Sequence, residues 1–220
     1  MGMMLVTTKA KGSKVDKGFM RHDLDDYLRL LGFENLAGVD EAGRGPLAGP
    51  VVACAVVLPP YVRLKGVNDS KALSEDERKR ALPSILETAL DCSVGISFHD
   101  EIDKVNIRNA SLLAMERAVD GLEMDPDLCL IDGRDVPQGL EYPAVAFVKG
   151  DSRSLSIAAA SIVAKQVRDS IMEAMHEEFP MYGFDKHKGY PTKLHRLRLE
   201  EFGPCKYHRM TFNGVRELTR

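Results

Sequence analysis

At 220 residues, 44% hydrophobic and 29% charged, the chain has an ordinary globular composition and is long enough for one substantial core, or one domain with a small appendage. A formal net charge of −3 excludes a globally basic nucleic-acid binder, and the longest apolar run falls far short of a membrane span. Residues 1–17 lack the hydrophobic region of a secretory signal, so the expectation is a cytoplasmic protein with no membrane partner; a monomer is expected as well, though no motif bears on oligomeric state.

Residues 1–18 are polar and carry Lys9, Lys11, Lys14 and Lys17, which predicts a flexible tail ahead of a domain over 19–220. A short helix is expected over 24–31, ended by Gly32. Strands follow over 36–41 and 50–58. Ser74 and Glu77 form a capping-box pattern that opens a helix toward residue 91, disturbed by Pro83. Alternation predicts a third strand over 92–99, then helical segments over 101–105 and 110–122, and short apolar strands over 128–132 and 144–149. A long helix is expected over 155–178. Its opening Ala158-Ala159-Ala160-Ser161 carries only small side chains, which would let it pack closely on a sheet beneath a site. A last helix over 191–202 begins with Pro near its N-terminus. Three consecutive strands and then strands alternating with helices predict an α/β layered domain with a mixed sheet. The segment from about 180 to 220 forms its C-terminal helical part. Cys54, Cys92, Cys129 and Cys205 are widely spaced without a Cys-x-x-Cys pair and are read as reduced, buried, small hydrophobes.

The most informative stretch runs from Gly38 to Pro50, where Asp40 and Glu41 end a hydrophobic strand directly before a turn containing Gly43 and Gly45. Side chains on a strand alternate faces, so two adjacent carboxylates serve one site only if the strand stops or bends between them. Asp132 ends another apolar strand before Gly133, and Asp151 follows a third across Gly150, so each lies near a strand's C-terminal end, where ligands gather in α/β sheets. Crowded carboxylates call for a cation or protons, and all-oxygen ligands suit hard ions such as Mg²⁺ or Mn²⁺.

Five ordered blocks carry a family resemblance. They are Gly38 to Pro50; Asn68-Asp69-Ser70-Lys71-Ala72-Leu73-Ser74; Ile131-Asp132-Gly133; Lys149-Gly150-Asp151-Ser152 with Ala158 to Lys165; and His187-Lys188-Gly189-Tyr190-Pro191-Thr192 with His195. Together, from about residue 36 to 212, they resemble the type 2 ribonucleases H, and the bacterial ribonuclease HII branch in particular. That resemblance implies a ribonuclease H-like fold with a five-stranded mixed sheet flanked by helices. It implies a two-metal endonuclease acting on RNA–DNA hybrids and on DNA duplexes containing single ribonucleotides, cutting 5′ to the ribonucleotide to leave 3′-hydroxyl and 5′-phosphate ends. By the same resemblance Asp40 bridges both ions and Asp151 helps hold the one that activates water. Glu41 and Asp132 hold the ion that steadies the leaving 3′-oxygen. No side-chain nucleophile is needed.

The resemblance also implies that Gly43, Arg44 and Gly45 contact the ribose 2′-OH and a neighbouring phosphate, the group that tells RNA from DNA. Tyr190, within Lys188-Gly189-Tyr190, packs on the adjacent sugar. Asn68, Ser70 and Lys71 are expected phosphate contacts. Pro191 stands where much of the family has Gly, and would restrict Tyr190. Between Lys186 and Arg209 seven Lys or Arg face two Glu, a net of +5 that suits a phosphate backbone. Two rivals are a ribonuclease HIII-like nuclease, which would carry a sizeable N-terminal domain before the first motif, and a catalytically silent RNA–DNA-binding module. The four carboxylates speak against the second.

Overall fold

The computed structural model describes residues 23–64, 66–67 and 73–218. In chain order they form α1 (Asp23–Leu30), β1 (Leu36–Ala42), β2 (Val51–Val57), α2 (Glu75–Thr88), β3 (Asp91–Ser97), α3 (His99–Asp120), β4 (Leu128–Asp132), β5 (Ala144–Phe147), α4 (Leu155–Glu178), α5 (Phe184–His187) and α6 (Lys193–Phe202). The expected tail over 1–18, and Asn68, Ser70 and Lys71, lie outside the described residues.

One five-stranded sheet, in the order β3-β2-β1-β4-β5, carries this architecture. β1 and β2 pair antiparallel, as do β2 and β3, while β4 and β5 continue the sheet in parallel. Every residue of β2 is buried, as its unbroken apolar run requires when both faces are covered. Period-two alternation divides the core. Val51, Ala53, Ala55 and Val57 pack with Ala110, Ala114 and Met115 of α3, whereas Cys54 and Val56 pack with the Ala158–Ala160 run of α4 and with Ile85 of α2. All four cysteines are free thiols; Cys54 and Cys129 are buried. No helix among the described residues is long and apolar enough to cross a membrane.

Two close approaches set the layer spacing. A Cβ on Gly38 of β1 would stand 2.1 Å from the Ser156 carbonyl carbon and 2.2 Å from the Ile157 nitrogen, both in α4. On the opposite face a Cβ on Gly95 of β3 would stand 2.0 Å from the Ala114 carbonyl oxygen of α3. Glycine is needed at both because backbone meets backbone. The start of α4 is fixed independently. Ser154 caps it by accepting from the Ile157 N–H, and the buried Asp25 of α1 accepts from the Ser156 N–H at 2.9 Å and its hydroxyl at 2.8 Å.

The local signals and the structure differ in instructive places. The Ser74–Glu77 capping box forms as expected, and α2 runs on through Pro83 to Thr88. The two helical segments predicted over 101–105 and 110–122 are present within α3 and break at Asn106, which has φ 68° and whose Oδ1 accepts from the N–H groups of Arg108 and Asn109. Its side chain caps a second helix start, which explains the gap in the pattern. The strand expected over 144–149 stops at Phe147, because Lys149 turns left-handed (φ 58°) and a 3₁₀ turn covers Gly150–Ser152. The last helix begins at Lys193, two residues later than expected, since Thr192 is its N-cap.

A Gly38→Ala substitution should test the β1–α4 approach. Overpacking against backbone is expected to cost about 1–3 kcal/mol, or more, read as a lowered urea midpoint. An unchanged midpoint would contradict the packing.

Candidate active site

The close approach of β1 to α4 brings a carboxylate under a helix. Asp40 lies two residues beyond Gly38, on the same face, and is 3% exposed. The Ser161 hydroxyl of α4 donates to its carboxylate, and the Glu41 N–H donates to Asp40 Oδ1 at 2.7 Å. Asp132 ends β4, next to β1 in the sheet, and its Oδ1 accepts from the Gly150 N–H at 2.7 Å. Asp151 sits in the 3₁₀ turn that Gly150 opens, and is also 3% exposed. A Cβ on Gly150 would meet the end of the Ile157 side chain, Cδ1 at 2.6 Å, and approach Asp132 Oδ1 at 3.4 Å. Asp40, Asp132 and Asp151 each offer an oxygen within 4.8 Å of the others.

Glu41 stands outside that trio. β1 does not stop between Asp40 and Glu41: it stays paired to β2 through Ala42, with Asp40 opposite Cys54 and Glu41 opposite Ala53. The carboxylate of Glu41 instead meets Arg44 Nη1 at 3.2 Å. Burial, then Glu41, then Asp132 push the Asp40 carboxyl well above its usual range, against the hydrogen bonds from Ser161 and the backbone. Glu41 is also raised, chiefly by burial, with Arg44 opposing. So much buried acid is the electrostatic signature of a site that protons or cations must neutralise.

Beside the carboxylates opens a cleft of about 310 Å³, lined by Glu41, the Gly43–Gly45 turn, Ser161, Lys165, Arg78 and Tyr190. Gly43 has φ 103°, and a Cβ there would collide with Arg168 Nε at 2.2 Å. Gly45 is different: a Cβ would meet only Tyr190 Cε1, at 3.8 Å, so that side of the turn is open to a ligand. Tyr190 is 41% exposed, with the Lys165 ammonium 5.9 Å and the Arg168 guanidinium 5.7 Å from its ring centre.

A chain of neutral histidines holds Tyr190 from behind. The Cys205 N–H donates to His208 Nδ1 at 2.9 Å, so His208 carries its proton on Nε2 and donates to His195 Nε2 at 3.1 Å. His195 is then protonated on Nδ1 and donates to the Tyr190 carbonyl at 3.0 Å. Burial pulls His195 down to about 4 and His208 to about 3, which keeps both uncharged. His187 works in parallel, accepting from the Gly189 N–H and bonding the Tyr182 carbonyl.

Comparison with known proteins fits this geometry. The sequence profile described as Ribonuclease HII matches residues 37–215. The chain belongs to the ribonuclease HII family. A Ribonuclease HII of Syntrophotalea carbinolica is 52% identical over 88% of this chain and 92% of its own. The crystal structure of the ribonuclease H2 from Pyrococcus horikoshii superposes with a TM-score of 0.72 at 26% identity, covering 84% of this chain and 96% of that one. Bst-RNase HIII, at 20% identity and a TM-score of 0.68 over 87% of this chain and 71% of its own, shares the fold. The chain is therefore a ribonuclease H of the HII branch, and the HIII alternative falls away. The expected ribonuclease H-like mixed sheet of five strands is the one observed.

Within this ribonuclease HII site, Asp40, Asp132 and Asp151 converge, and Glu41, Gly43, Arg44, Gly45 and Tyr190 line the adjoining cleft. Lys188 is turned inward: it is buried, and its ammonium donates to Glu173 Oε1 and the Asp185 carbonyl, both at 2.7 Å. The basic stretch from Lys186 to Arg209 is likewise no simple solvated strip, since Arg198 pairs with Glu201, Lys206 pairs with Glu178, and Arg209 is buried. Cations facing the cleft come from elsewhere, as Arg44, Arg78 and Lys165. Sequence reasoning gave Ser161 only a packing role and assigned none to Lys165, Arg168 or Arg209. Ser161 could have been found as the one hydroxyl closing a run of alanines; buried arginines leave no local pattern.

The raised carboxyls fix the sign of a pH effect. In the folded, metal-free protein Asp40 holds its proton where the unfolded chain has released it, so stability falls as pH rises above the ordinary Asp value of 3.8. In chelator, Asp40→Asn should therefore melt above wild type at neutral pH, and the advantage should shrink as pH falls toward that value. A variant that melts lower than wild type at neutral pH would contradict the charge assignment.

Proposed function

We propose that the chain is a divalent-metal-dependent endonuclease that cuts the RNA strand of RNA–DNA hybrids and cuts 5′ to single ribonucleotides embedded in duplex DNA, leaving 3′-hydroxyl and 5′-phosphate ends. The observation that carries this reading is the convergence of Asp40, Asp132 and Asp151 beside the cleft formed by the Gly43–Gly45 turn and Tyr190. The donor set is all oxygen, buried and mutually repelling, which fits Mg²⁺ or Mn²⁺ and disfavours soft ions. Asp40, Asp132 and Asp151, with Glu41 at their margin, are the residues that would hold such ions. When bound, the ions supply Lewis-acid stabilisation of charge on phosphate oxygens and a more acidic water.

The chain's own residues divide the remaining work. Ser161 orients the Asp40 carboxylate, and Gly150 orients that of Asp132. Arg44, more than half exposed and reaching back to Glu41, is placed to take a phosphate at the mouth of the cleft. Open space beside Gly45 admits a ribose against main-chain N–H groups, and the exposed Tyr190 ring offers a face to the next sugar. A catalytically silent binder would gain nothing from buried acid facing phosphates.

Asp40→Asn is expected to abolish cleavage of a labelled duplex containing one ribonucleotide while leaving duplex binding in place. Near-normal turnover at saturating Mg²⁺ would sink the metal assignment. Tyr190→Ala should harm cleavage at a lone ribonucleotide more than cleavage inside a longer hybrid, because only the lone site sets a deoxyribose against the ring. A contact at the low end of about 1–3 kcal/mol corresponds to roughly a tenfold loss. Equal losses on the two substrates would make Tyr190 a structural residue only.

A further inference from the structure

Arg209 lies 159 residues beyond the end of the Gly43–Pro50 loop and is wholly buried beneath it. A guanidinium has five N–H donors. Here all five are taken, every one by a main-chain carbonyl of that loop. Nε donates to Gly49 at 3.0 Å. Nη1 donates to Arg44 at 3.1 Å and to Pro46 at 2.8 Å, and Nη2 to Gly43 at 2.6 Å and to Pro50 at 3.2 Å. Arg168 of α4 supports the same loop from the side, donating to Pro50, Ala48 and Lys188 carbonyls. A buried guanidinium without a carboxylate partner is costly unless its donors are all satisfied, so the five carbonyls and the cation lock one another.

That lock has a consequence on the opposite side of the loop. In a planar trans peptide the C=O of one residue and the N–H of the next point in opposite directions. No peptide bond among the described residues is cis. With the carbonyls of Gly43 and Arg44 turned inward to Arg209, the N–H groups of Arg44 and Gly45 turn outward, toward the cleft. Neither N–H has an acceptor among the described residues. The backbone of Arg209 reinforces the arrangement: its N–H donates to the Leu47 carbonyl at 2.8 Å, and the Leu47 N–H donates to Gly189 beside Tyr190 at 2.8 Å. The segment is anchored on α3, where Asp103 accepts from the Met210 N–H at 2.8 Å and the Thr211 N–H at 3.0 Å.

We propose that Arg209 is a positioning residue for ribose recognition: by gathering the loop carbonyls it aims the Arg44 and Gly45 N–H groups at the 2′-hydroxyl and adjoining phosphate of the scissile ribonucleotide. The proposal rests on the ribose-reading role given to this cleft above. Lysine keeps the charge but has three donors on one nitrogen and cannot span five carbonyls, so Arg209→Lys is the informative variant.

Three quantities are measured on wild type and variant: kcat/KM on a duplex with one ribonucleotide, the inhibition constant of an all-DNA duplex of the same sequence, and hydrogen exchange over residues 43–50. Arg209→Lys should lose about tenfold or more in kcat/KM, the loss of one or two hydrogen bonds. The all-DNA constant, which lacks the 2′-hydroxyl contact, should weaken far less than kcat/KM falls, the Mg²⁺-induced rise in melting temperature should stay at its wild-type value, and exchange over 43–50 should quicken. A folded variant that cleaves like wild type overturns the proposal. So does one whose all-DNA binding and Mg²⁺ response fall in parallel with cleavage, since that marks a general structural role. If Arg209→Lys does not fold, Asp103→Asn, which loosens the anchor and leaves the guanidinium, carries the same comparison with a smaller loss in the same direction. Failure of wild type to cleave at a single ribonucleotide would instead defeat the functional reading, and the exchange comparison would still decide whether Arg209 holds the loop.

Discussion

The close approach of β1 to α4 is the constraint on which the site depends. Gly38 lets backbone meet backbone, and the alanine run of α4 removes the side chains that would hold the layers apart. Asp40, on the same face two residues on, is thereby carried under the helix, where Ser161 can bond it and water cannot. Its carboxyl is raised because burial, before any neighbour, disfavours its charge. A wider layer spacing would leave an ordinary solvated aspartate at the same place in the sequence.

Two kinds of preorganisation meet at the cleft, and they are built differently. The carboxylates ride on the ends of neighbouring strands and the turn that follows them, so the sheet register fixes their spacing. The Gly43–Pro50 loop has no regular structure and must be held by side chains. Buried arginines hold its carbonyls, while neutral histidines hold the backbone at Gly189 and Tyr190. Loops carry recognition but need a rigid scaffold to do so with accuracy. Here the scaffold comes from Arg168 of α4 and from the C-terminal segment, whose Arg209 lies against the loop between the first two strands. Of that segment's basic residues, Arg209 does this internal work and Lys188 turns inward to Glu173, while Arg198 and Lys206 form ion pairs at the surface.

Much of the fold was legible residue by residue. The unbroken apolar run of β2, the capping box at Ser74, the alanine-rich start of α4 and the strand-end positions of Asp132 and Asp151 are local signals, and local physics produces them. The break at Asn106, whose side chain caps the second helical segment, agrees with the gap between the two segments read there. An element boundary was missed where one residue overrides the pattern: Lys149 turns left-handed and β5 ends at Phe147.

The sequence by itself determined that four acidic residues would stand near the ends of apolar strands and that five ordered blocks would mark a ribonuclease HII. Composition, periodicity and motif order are properties of neighbouring residues, and they survive being read one stretch at a time. Only the tertiary structure decided that three aspartates converge while Glu41 stands beside Arg44, since β1 keeps its ladder through Ala42. It alone decided that Lys188 faces inward and that Arg209 reaches a loop 159 residues away. Those outcomes turn on which buried donor finds which acceptor across the fold, and a contact between distant segments leaves no trace in the spacing of either one.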